Sequence, residues 1–107
     1  MTAAPADATT ALLRVLKNSF DRVNFLNFER VHSREWASIT FSGARHEITL
    51  RLVGAEADAA ADAFAASLDA AEFRLRGHIL ADIALVAREA TGDGVRLSLE
   101  ALTVEDG

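Results

Sequence analysis

The sequence predicts an α+β domain, a four-stranded antiparallel sheet with two helices on one face in the order α-β-β-α-β-β. Three observations predict it. Two stretches carry apolar residues at helical spacing, and each is followed by a pair of runs in which apolar and polar residues alternate. Each pair of runs is joined by a short Gly-containing turn, the pattern of a hairpin. The 107 residues are 50% hydrophobic and 25% charged with a single Pro, which suits one folded domain over 1–107, with 1–6 as a flexible N-terminus.

The first helix is predicted from about Asp7 to Phe20. Leu12, Val15, Leu16 and Ser19 recur at i, i+3, i+4 and i+7, and Leu13 and Phe20 widen the stripe. Asp7 stands where a cap belongs, and Asn18 and Asn24 stand where such helices end. Asp21 to Phe28 fits neither period and reads as a buried, aromatic-rich connection. From Val31 the period is two. Val31, Ala37, Ile39 and Phe41 are expected on the buried side, with Arg30, His32, Arg34, Trp36, Ser38 and Thr40 opposite. Ser42-Gly43-Ala44-Arg45 reads as the turn, and Ile48, Leu50 and Leu52 as the inward set of the returning strand.

The second helix is predicted from Glu56 to Asp69. Alanine, the best helix former, fills it, and Ala57, Ala60, Ala61, Phe64 and Leu68 make a narrow stripe suited to close approach to a sheet. From Phe73 to Ala87 every odd residue is apolar or Gly, so the odd set is expected inward. One strand of that span would run about 50 Å, against roughly 17–20 Å for typical strands. Gly77 must bend it, or part of it must reach beyond its own domain. Thr91 to Gly94 turns the chain, and Val95, Leu97, Leu99 and Ala101 return as the last strand, after which the register is open. The whole reads as a duplicated αββ unit or a ferredoxin-like variant.

Composition excludes several functions. With no Cys there is no disulfide, thiolate metal site or cysteine nucleophile. The net charge of −5 opposes nucleic-acid binding, and no apolar run approaches the span of a bilayer, so neither nucleic acid nor membrane is an expected partner. The first residues lack the basic and apolar regions of a secretory signal, and a cytoplasmic location is the expectation. His32, His46 and His78 are scattered without HxH or HExxH spacing, so no metal and no cofactor is expected. There is no GxSxG elbow and no phosphate-cradling Gly motif, and an enzyme is the less favoured reading.

Two surfaces remain. Arg34, Trp36, Arg74, Arg76 and His78 would form a basic ladder for a small anionic ligand if their strands lie close. Charge lends this modest support, with seven Arg/Lys against five Asp/Glu in residues 1–53 and four against eleven in 54–107. The second surface is apolar. Leu80, Ala84 and Val86 on one strand and Leu102 and Val104 on the other would face away from the helices beside Trp36. A solvated sheet face should be polar, and an exposed apolar patch on such a domain marks a contact. The sequence therefore favours a non-enzymatic module that self-associates as a homodimer through the back of its sheet, the anionic-ligand protein being the alternative.

Overall fold

A computed structural model describes residues 8–20, 25–68, 74–75 and 77–105. The elements are α1 (Ala8–Ser19), β1 (Phe25–Ala37), β2 (Ser42–Val53), α2 (Ala57–Ser67), β3 (Arg74–Leu75), β4 (His78–Ala90) and β5 (Gly94–Glu105). Four long strands and the two-residue β3 form one antiparallel sheet in the spatial order β1-β2-β5-β4-β3. The second strands of the two hairpins, β2 and β5, are central neighbours, so the hairpins are related by an approximate two-fold in topology, as a duplicated αββ unit requires.

Both helices cover the same sheet face. Ile48, Leu50 and Leu52 of β2 and Val95, Leu97 and Leu99 of β5 pack against Leu12 and Leu16 of α1 and Ala57, Ala61 and Phe64 of α2. Each buried Leu or Ile contributes about 1.5–3 kcal/mol relative to exposure. The Phe20 and Phe64 rings meet at 4.7 Å, which joins the end of α1 to α2. Ala57 and Ala61 have no bulk beyond a methyl group, so α2 lies close to the sheet. Arg88 of β4 reaches both Asp62, at 2.6 Å, and Asp58, at 3.2 Å, one helical turn apart on α2.

The central strands are regular and the outer ones are not. In β1 the register shifts between Phe28 and Arg30, and in β4 between Leu80 and Asp82 and again between Leu85 and Ala87. Each bulge places two residues of one strand against one of its neighbour and so exchanges the faces of everything beyond it. Leu26 and Phe28 face the helices before the β1 bulge, and Val31, Ser33 and Glu35 after it.

Several expectations change with this register. The Asp21–Phe28 connection is a strand from Phe25 onward, and its first four residues lie outside the described residues. The first hairpin turns over Ser38–Phe41, where Ser38 N–H donates to the Phe41 carbonyl at 2.7 Å, rather than at Ser42–Arg45. Ile39 and Phe41, expected in the core, are therefore exposed at its tip. The span from Phe73 onward is broken at Gly77, whose φ of 79° is the left-handed conformation glycine accepts, although Phe73 itself lies outside the described residues. Its odd residues do not all face inward. Ile79 points away from the helices, and Leu80, expected outward, packs against the core. The chain keeps its register past Ala101, as β5 continues to Glu105.

Candidate functional site

The helix-facing side of the sheet changes character along its length. On β2 the inward set runs Ala44, His46, Ile48, Leu50, Leu52, and on β5 it runs Val95, Leu97, Leu99, Ala101, Thr103. The apolar part lies under the helices, while His46 and Thr103 bring polar groups into the same buried row. His46 is 1% exposed and Thr103 fully buried, so their hydrogen bonds must be made internally.

They are. His46 Nε2 lies 2.9 Å from Thr103 Oγ1, and His46 Nδ1 lies 2.7 Å from Ser33 Oγ on β1. Ser33 Oγ in turn lies 2.8 Å from Thr9 Oγ1 in the first turn of α1. Thr103 Oγ1 also lies 3.4 Å from the Ala44 carbonyl oxygen, to which it can donate. The side chains of Thr9, Ser33, His46 and Thr103 thus form one continuous hydrogen-bonded chain from the first turn of α1 to the sheet interior.

This chain borders a cavity of about 820 Å³ between the first turn of α1 and the adjacent end of the sheet. Glu35, two residues beyond Ser33 on the same face, lines it together with His78 and Glu105, which are register partners. Ser42 Oγ donates to the Glu105 carboxylate. Ser33 and Glu35 are exposed, so the hydroxyl stands at the open side while the imidazole behind it is sealed.

The opposite face carries Arg30, His32, Arg34 and Trp36 in a row along β1. Arg34 heads a cross-strand row of Arg34, Arg45, Leu102 and Asp82, and Trp36 heads the next, Trp36, Gly43, Val104 and Ile79. Gly43 is required there, because a Cβ would run into the Thr103 carbonyl oxygen and press on the Trp36 ring. Ile79 and Val86 are each 52% exposed, while Leu102, Val104, Ala84 and Trp36 are half-buried. Ala84 faces outward with Leu102 and Val104, and Val86 occupies the second β4 bulge. At the far end of the face Glu29 lies in the β1 bulge and bonds Arg96 Nε at 2.6 Å, with Arg51 Nε at 3.8 Å. The hydrogen bond from Arg96, reinforced by the charges of Arg96 and Arg51, holds the Glu29 carboxyl below the usual carboxylate range.

The residues of the expected basic ladder are distributed between two faces. Arg34 and Trp36 share the outer face, whereas His78 faces the cavity on the helix side. Arg74 belongs to β3, and Arg76 lies outside the described residues. His46, one of the three scattered histidines, is enclosed in the sheet interior. Sequence reasoning missed the Ser33–His46–Thr103 chain because its members come from three strands. A signal was present, since His46 and Thr103 are polar residues in phase with the apolar sets of their strands.

Among the described residues no group of three or more His, Asp or Glu side chains is placed to hold a metal ion, and no helix is long and apolar enough to cross a membrane. No known protein family, curated protein or solved structure matches this chain.

Proposed function

We propose that the domain is a self-associating module in which a second copy covers the outer sheet face. The carrying observation is the apolar end of that face, where Ile79 stands half-exposed next to Val104, Leu102 and Trp36 on a surface that water alone should keep polar. Three further features support a face rather than an edge, and a like partner rather than an unlike one.

Both long outer strands carry bulges together with charged residues (Arg30, His32 and Arg34 on β1, Asp82, Arg88 and Glu89 on β4), the devices that discourage edge-to-edge pairing. The row Arg34, Arg45, Leu102, Asp82 carries opposite charges at its two ends. A two-fold axis running along the strands between β2 and β5 sets Arg34 over Asp82 of the second copy and lays the aliphatic stem of Arg45 over Leu102 of the second copy, an isologous arrangement. Area is adequate too. Four strands of twelve or so residues present a face of about 40 by 19 Å, roughly 750 Å², close to the ~800 Å² per partner of a standard interface.

Light scattering behind a sizing column tests the reading. The chain is expected to run as a dimer at tens of micromolar, and Leu102→Glu to run as a monomer with an unchanged circular dichroism spectrum. A wild-type monomer at that concentration overturns it. The alternative, an anionic ligand held by Arg34, Trp36, Arg74, Arg76 and His78, has less support, because Arg34 and His78 face opposite sides of the sheet. A thermal-shift panel of phosphates and carboxylates separates the two, since a ligand at 100 times its Kd stabilises by about 2.7 kcal/mol.

A further inference from the structure

The hairpin tip between β1 and β2 carries two large apolar side chains that the chain's own packing leaves largely uncovered. We propose that this tip is a clasp, in which Ile39 and Phe41 anchor the dimer by closing over the start of β4 in a second copy. The clasp rests on association through the outer sheet face and adds to that face the residues that hold it.

Hairpin turns are ordinarily built from Gly, Asn, Asp, Ser and Pro. Here the four residues are Ser38, Ile39, Thr40 and Phe41, with Ile39 fully exposed and Phe41 60% exposed. Ser38 closes the turn onto Phe41 three times. Its N–H donates to the Phe41 carbonyl at 2.7 Å, its Oγ accepts from the Phe41 N–H at 3.1 Å, and its hydroxyl donates to the same carbonyl at 3.2 Å. The two residues between them, Ile39 and Thr40, are β-branched and stiff at χ1. The apolar pair is therefore placed before a partner arrives, which lowers the ordering entropy that association must overcome.

Three features make the occupant a like chain. Phe41 is in phase with Gly43, Arg45 and Glu47, the outward set of β2, so it continues the apolar end of the outer face past the row of Trp36, Gly43, Val104 and Ile79. The two-fold axis that sets Arg34 over Asp82 of the second copy also sets Trp36 over Ile79 of that copy. The tip continues past Trp36 and so passes over Gly77 of the second copy, where it meets backbone and the half-exposed Ile79 rather than a bulky neighbour. The contact is made twice, each tip on the other chain, as an isologous dimer requires. Charge disfavours the other phase that takes up protruding apolar tips, a lipid surface. Glu35 and Glu105 are exposed at the same end of the sheet, and the net charge of −5 repels anionic headgroups.

Sedimentation equilibrium of the full chain tests the clasp, with circular dichroism of each variant reporting the fold. Phe41→Ser is expected to raise the dimer dissociation constant by about 30-fold or more, the threshold of an interface anchor. Ile39→Ser is expected to raise it by about tenfold, with an unchanged spectrum. A wild-type dissociation constant in folded Phe41→Ser, with Leu102→Glu monomeric, overturns the clasp and leaves the outer-face dimer standing. A wild-type chain that stays monomeric at tens of micromolar overturns both. Should Phe41→Ser fail to fold, Ile39→Ser decides, because that side chain is fully exposed in the monomer, and an unchanged dissociation constant there overturns the clasp. Vesicles of phosphatidylcholine and phosphatidylglycerol supply the last arm. Wild-type chain that pellets with them, and Phe41→Ser that does not, overturns the clasp in favour of a lipid surface.

Discussion

Thr103 shows how much one hydroxyl carries when it is fully enclosed. It bonds one ring nitrogen of a buried imidazole, so Thr103→Val removes the hydroxyl partner of His46 Nε2 from a fully buried place. The expected loss is about 1–3 kcal/mol, recovered by Thr103→Ser and read as a shift in the urea midpoint. Gly43 is the second residue of this kind. Gly43→Ala forces a methyl group against the β5 backbone and the Trp36 ring, an overpacking cost of about 1–3 kcal/mol, measurable in the same unfolding series. The partners of neither residue were legible from the sequence. Thr103 reads as one polar residue near the end of a strand, and Gly43 as part of a turn signal, because their partners stand on other strands.

At the scale of the element, the edge strands explain the largest departures from the periodic reading. Period two predicts faces only while the register is unbroken, and three bulges in β1 and β4 exchange those faces. The alternation therefore identified both hairpins yet placed Leu80 on the wrong side, whereas in the uninterrupted β2 and β5 the inward sets are those the period gives. The β1 bulge also delivers Glu29 to Arg96 and Arg51. Because the folded-state carboxyl is held below its ordinary range, the stabilisation it gives is complete above that range and is lost as pH falls through the lowered value. Melting temperatures followed from neutral pH into acid should fall less steeply in Glu29→Gln than in the wild type. Parallel curves would show that this ion pair does not couple to stability.

For the whole molecule the central pair sets the order of stability. β2 and β5 are hydrogen-bonded on both sides and supply the inward residues that both helices cover, while β1 has one sheet neighbour and β4 gains only the two-residue β3 on its far side. Amide exchange should accordingly be slowest at Ile48–Leu52 and Leu97–Leu99 and fastest at the Ser38–Phe41 tip and along β1. Equal protection of β1 and β2 in the isolated chain would contradict that order. Association through the outer face, by contrast, would slow exchange at Leu102 and Val104 in a concentration-dependent way.

The sequence by itself determined the α-β-β-α-β-β order, the hairpins and the central apolar rows, because helical and strand periods are local properties that neighbouring residues enforce. Only the tertiary structure decided which strand lies beside which, where the faces exchange and that Ser33, His46 and Thr103 meet. Those outcomes depend on backbone register between distant segments, which no spacing along a single strand encodes.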